Sequence, residues 1–96
     1  MRYSLHARIS TDNPDAIEPV LTQLVRSGTV TRSEDGQEFV VDGTFEGQSA
    51  RDLNRALLSE LRRAEKRTRL RAEWTGQGTT ERFFDYVPKS SGKAST

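Results

Sequence analysis

The sequence predicts an α+β domain of the ferredoxin-like split βαβ kind (βαββαβ): an antiparallel sheet covered by two helices on one face, with an appended C-terminal β-strand. Three observations predict it. Two segments carry apolar residues at helical spacing. The segments around them alternate apolar and polar residues. An Asp-Gly pair joins the two middle strand segments directly, so the order is strand, helix, strand, strand, helix, strand.

The elements follow in chain order. From Met1 to Ser10, Tyr3, Leu5, Ala7 and Ile9 alternate with Arg2, Ser4, His6 and Arg8, the pattern of a half-buried strand. Asp12-Asn13-Pro14-Asp15 is a turn and a helix start, with Pro14 suited to the first helical position. Ile17, Leu21, Leu24 and Val25 form the first helical stripe, which ends at Gly28. Pro19 requires that this helix either begins near Glu18 or bends. Thr29 to Phe45 reads as a hairpin turning at Asp35-Gly36. That turn sets Arg32 opposite Phe39 and Val30 opposite Val41. It puts Val30, Phe39, Val41 and Phe45 on the core face, and Thr31, Val40, Asp42 and Thr44 away from it. Gly43 and Gly47 read as a bulge and a strand end.

Ser49 to Arg69 is the clearest helix. Leu53, Ala56, Leu57, Leu61 and Ala64 give an apolar stripe, and Ser49 with Asp52 fits a capping box. Leu70, Ala72 and Trp74 then alternate with Arg71, Glu73 and Thr75. After the Gly76-Gln77-Gly78 turn, Thr79 to Val87 is the appended strand and Pro88 stops it. Residues 1–88 are read as one α+β domain, and 89–96 (KSSGKAST) as a disordered polar tail.

With 96 residues, 32% of them hydrophobic, the core is lean, and help from a second subunit is expected. The chain has no cysteine, so disulfides, thiolate metal sites and cysteine nucleophiles are excluded. No apolar run is long enough for a signal peptide or a bilayer span, so the expected location is cytoplasmic, with no membrane partner. Residues 1–48 hold four basic and eight acidic groups, and residues 49–96 eleven basic and six acidic. Basicity is therefore concentrated in the second half.

Chemistry-bearing motifs are scarce. His6 is the only histidine; with no partner defined in the sequence, no catalytic residue, metal or cofactor is assigned. Gly76-Gln77-Gly78-Thr79-Thr80 is followed by strand-like residues, not by the helix a phosphate loop needs. The second helix offers more. Arg51, Arg55, Arg62 and Lys66 lie within roughly 60° of one another on its wheel, and Arg63, Arg67, Arg69 and Arg71 extend the positive region. Like charges four residues apart repel in an isolated helix, so such a stripe is a candidate contact for phosphates or an acidic protein. Arg51, Arg55, Arg62, Arg63, Lys66 and Arg69 are the candidate nucleic-acid or acidic-partner residues.

A sheet that binds RNA needs aromatics on its open face. Phe39 faces the core in the hairpin register, which argues against this mode, whereas Phe84 and Tyr86 could supply rings. Val40, Leu58, Phe84 and Tyr86 are left over once the core is filled, and they are the candidate interface of a homo-oligomer. The leading expectation is a small non-catalytic binding or assembly domain that is homo-oligomeric. One alternative is an RNA- or DNA-binding accessory protein using the basic helix 49–69. A second is a cofactor-independent ferredoxin-like dimeric enzyme, with an apolar cavity near Trp74 or His6.

Ser49-Ala50-Arg51-Asp52-Leu53-Asn54, with Leu57 a turn later, resembles the second helix of the small dimerising subunit of the KEOPS tRNA-modification complex. That family shares the strand-helix-strand-strand-helix order. The resemblance implies a non-catalytic, dimerising subunit that contacts tRNA through basic groups. It is confined to this helix; Trp74 and the Phe83-Phe84-Asp85-Tyr86 run depart from the family pattern.

Overall fold

The computed structural model describes residues 1–91. Six strands and two helices follow one another as β1 (Arg2–Ser10), α1 (Pro14–Leu24), β2 (Gly28–Arg32), β3 (Glu38–Glu46), α2 (Ala50–Ala64), β4 (Arg69–Gly76), β5 (Thr79–Phe84) and β6 (Val87–Ser91). The strands form one sheet in the order β2-β3-β1-β4-β5-β6, and every neighbouring pair is antiparallel. The fold class is α+β, as the alternation and helical spacing predict.

The alternation of β1 decides the layering. Tyr3, Leu5, Ala7 and Ile9 are buried, and Arg2, Ser4, His6 and Arg8 are exposed. Across the sheet Ala7 faces Val41 and Ala72, while Leu5 faces Trp74. Residues directly opposite share a face, so Phe39, Val41, Leu70, Ala72 and Trp74 join the same buried layer. Ile17 and Leu21 of α1 and Leu57, Leu58 and Leu61 of α2 complete it. The Trp74 ring is fully buried and packs edge-on to Phe45, with centroids 5.5 Å apart. Trp74 therefore fills one of the two places, near Trp74 or near His6, where the enzyme alternative expects an apolar cavity.

The hairpin has the expected register: Val30 opposes Val41 and Arg32 opposes Phe39. Its turn closes differently. Gly36 N donates to Ser33 O at 2.9 Å, which makes Glu34 and Asp35 the central residues, and Gly36 takes φ +76° just after them. Ser33 Oγ and Gln37 N both donate to Asp35 Oδ1. These two bonds, Ser33 first, hold the Asp35 carboxyl below its ordinary range. Gly43 is no bulge: it pairs regularly with Leu5 and Gly28. A Cβ on Gly28 would lie 2.0 Å from Asp42 O, so the absence of side chains is what lets β2 approach β3.

Helix α1 begins at Pro14 and runs unbroken through Pro19. Pro19 has no N–H for the Asp15 carbonyl, and the residue is exposed. Pro19→Ala should restore that bond at the cost of a freer unfolded chain. A net gain of about 2 kcal/mol is expected in urea unfolding.

Helix α2 has the expected cap, with Asp52 N donating to Ser49 Oγ at 3.1 Å. Its buried face is rotated from the expected one: it consists of Ala50, Asn54, Leu57, Leu58 and Leu61, whereas Ala56 and Ala64 are exposed. A polar residue sits in this stripe because both polar atoms of the Asn54 side chain have a partner. Its Oδ1 accepts from Trp74 Nε1 at 3.2 Å, and its Nδ2 donates to Asp85 O at 2.8 Å.

The appended strand is two strands. The chain turns at Asp85-Tyr86, and β6 pairs back on β5 with a register shift at Arg82/Phe83. Pro88 lies within this outer strand, where a missing N–H is tolerated. Lys89–Ser91, read from the sequence as the start of a polar tail, belongs to β6; the rest of that tail lies outside the described residues.

Candidate functional site

The second face of the sheet has no helix against it, and its charges divide into two regions. In the first, opposite charges meet. His6 Nδ1 lies 2.7 Å from Asp42 Oδ1, Arg82 Nε 3.1 Å from Glu73 Oε2, and Arg2 Nη2 3.6 Å from Glu46 Oε2. These pairs are exposed and contribute little to stability.

The second region is a basic corner with an aromatic ring. Arg8 of β1 lies directly opposite Arg71 of β4, and Arg71 directly opposite Phe84 of β5. Like charges placed opposite one another on a sheet repel. Arg8 reaches only Glu38, at 3.9 Å, and Arg71 has no carboxylate within 4.0 Å among the described residues. Phe84 is partly exposed, and three cations gather on its ring. The centroid lies 5.2 Å from Arg71 Cζ, 5.3 Å from Arg69 Cζ and 5.7 Å from Lys89 Nζ. Two adjoining open depressions border this ring. One, of about 560 Å³, runs past His6, Arg8, Arg71 and Lys89; the other, of about 300 Å³, runs past Arg8, Ser10, Arg69 and Arg71.

Asp85 puts Phe84 there. It has φ +57°, a left-handed conformation that aspartate tolerates better than most residues. Its Oδ1 accepts from Leu70 N at 2.9 Å, and its Oδ2 from Arg69 Nε at 3.2 Å, with Arg62 Nη2 at 3.4 Å. Its own N–H donates to Leu70 O at 2.7 Å. The turn is thereby clamped to β4 and α2, with Phe84 on the open face and Tyr86 on the helix side. Tyr86 lies under Arg62, with Cζ 5.4 Å from the ring centroid, and its hydroxyl is 3.3 Å from Ser59 Oγ.

The expected basic stripe of α2 is therefore dispersed. Arg62 is committed to Asp85 and also donates to Thr68 O at 2.9 Å. Arg69 shares Asp85, Arg63 lies 3.7 Å from Glu60, and Arg67 lies 3.6 Å from Asp12. Lys66 falls beyond the helix, which ends at Ala64. Arg51 and Arg55 alone stay together on the helix surface, lining a cleft with Ser59 and Tyr86.

The expected interface residues separate too. Val40 and Phe84 lie on the open face with two strands between them, and Tyr86 is on the helix side. Leu58 requires correction: it is fully buried in the core of its own chain, because the rotated face of α2 turns it onto the sheet. It offers nothing to a second subunit.

Sequence reading missed Arg8 and Lys89 as members of one cluster. Arg8 had a signal, since it is on the polar side of β1 as Arg71 is on that of β4; Lys89 had none, because its segment reads as a tail. What joins them is strand order, which a single segment does not encode.

Among the described residues, no three His, Cys, Asp or Glu side chains are grouped to hold a metal ion. Among the same residues, no helix is long and apolar enough to cross a membrane. Comparison with protein-family models, curated proteins and solved structures finds no match for this chain.

Proposed function

We propose that this chain is a non-catalytic binding domain whose open sheet face holds single-stranded nucleic acid, and that its core is of the ferredoxin-like split βαβ kind. The partial strand order β2-β3-β1-β4, antiparallel throughout, with both helices packed on one face, supports the second statement. The observation that carries the first is the opposed Arg8/Arg71 pair beside the Phe84 ring.

Opposed arginines without good carboxylate partners are repulsive until an anion lies between them. A phosphodiester supplies that anion, and guanidinium groups over an aromatic ring provide a surface on which an unpaired base stacks. An acidic protein would meet the charge but make little use of the ring. A duplex hides its base faces, whereas a single strand presents both groups. This moves the expected contact from the exposed side of α2 to the sheet.

The test is a salt series. Arg8, Arg71 and Lys89 would meet two or three phosphates, so log K for a fluorescent single-stranded oligonucleotide should fall against log salt with a slope of about −1.4 to −2.1. Duplex of equal length should bind more weakly. Failure of any single strand to bind at low ionic strength would sink the reading.

A further inference from the structure

The helix side of the Asp85 turn carries a second basic cleft. Arg51, Arg55 and Ser59 follow one another at steps of four along α2, so they share one face. Tyr86 closes that face from the turn, its hydroxyl 3.3 Å from Ser59 Oγ. The cleft holds about 490 Å³, with Phe83 and Pro88 among its walls. Arg51 and Arg55 are exposed, and neither has a carboxylate within 4.0 Å among the described residues. The nearby arginine on the same helix, Arg62, is neutralised by Asp85. Asn54 is occupied by Trp74 and Asp85. The groups that can meet a ligand are therefore two guanidinium forks and the Ser59–Tyr86 hydroxyl pair, in which one O–H bonds the other oxygen and one is left to donate.

We infer that this cleft is a phosphate-binding site, with Arg51 and Arg55 as bidentate donors and the Ser59 and Tyr86 hydroxyls completing the contact. The donor count decides the chemistry. Each guanidinium has five N–H donors and the hydroxyl pair has one left to donate, whereas a carboxylate has about four acceptor positions. A phosphate group, with three strong acceptor oxygens and greater charge, uses this set more fully. None of the four residues belongs to the Arg8/Arg71/Phe84 corner, so the inference stands or falls separately from the open-face reading.

The test is a titration of the full chain with inorganic phosphate in a phosphate-free buffer at constant ionic strength, followed by amide chemical shifts. Saturable shifts are expected at Arg51–Ser59 and Tyr86–Val87, half complete at about 1 mM or below. Acetate should be at least ~10-fold weaker. The double variant R51Q/R55Q alters only exposed side chains and should keep the remaining spectrum while weakening phosphate binding ~10-fold or more. Arg26→Gln, which removes one positive charge between α1 and β2, should leave binding unaltered. Oligonucleotides with a 5′-phosphate or a 5′-hydroxyl separate the sources. Preference for the phosphorylated end assigns a nucleic-acid terminus; no preference alongside binding of free phosphate assigns a small phosphate ester. Shifts that never saturate, equal binding of acetate, or an R51Q/R55Q variant that binds like wild type would each overturn the inference.

Discussion

Leu58→Ala should lower the unfolding free energy by about 3–5 kcal/mol, among the largest effects of any single truncation in this chain. Leu58 is fully buried, together with Leu61, Leu70 and Trp74. Removing its branched end costs the transfer free energy of the lost carbons and leaves a cavity that two helices and a sheet cannot close. Exposed Val87 provides the contrast: Val87→Ala should stay within about 0.5 kcal/mol. Equilibrium urea unfolding measures both. A Leu58→Ala loss below about 1 kcal/mol would mean that this side chain is at the surface and that the rotated face of α2 is wrong.

Asp85→Ala should cost about 3–4 kcal/mol, because it removes a carboxylate that three groups surround. The Asp85 side chain is only 16% exposed, and Arg62, Arg69 and the Leu70 N–H all converge on it. Alanine leaves the partly buried Arg62 without its counter-charge. It also puts a Cβ without local hydrogen bonding at φ +57°. The melting temperature should fall by roughly 15 °C or more. Asp85→Asn separates charge from geometry: it keeps the tolerance of this conformation and an acceptor for Leu70 N. About half the loss should return. If Asp85→Ala melts like wild type, the turn is not clamped, and the position of Phe84 has no cause.

These two residues also mark the limits of the sequence. The order of the first six elements, the Val30/Val41 register and the Ser49 cap were legible, since each rests on local periodicity or on one turn. The face of α2 was not. Asn54 is polar, so apolar spacing passes over it and selects Ala56 and Ala64 in its place. Only its bonds to Trp74 and Asp85, 20 and 31 residues away, explain its burial. The Phe84-Asp85-Tyr86 turn was hidden for a related reason. Asp85 continues the alternation of Phe83 and Val87, and nothing local signals a left-handed residue there. Splitting that segment placed Phe84 among arginines and extended the sheet through Lys89. The charges of α2 were legible as a group, but not their partners, since Asp85 and Asp12 come from distant segments.

The central claim is that Arg71 and Phe84 act together on one strand of nucleic acid, and a single salt series on three proteins tests it. Wild type, Arg71→Gln and Phe84→Leu would be titrated with the same single-stranded oligonucleotide across a range of salt. Arg71→Gln should make the slope shallower by about 0.7, the loss of one phosphate contact. Phe84→Leu should weaken binding by about 1–3 kcal/mol at every salt concentration and leave the slope unchanged, the loss of one stacked base. Three superimposable titrations, or no binding by any of the three, would contradict it.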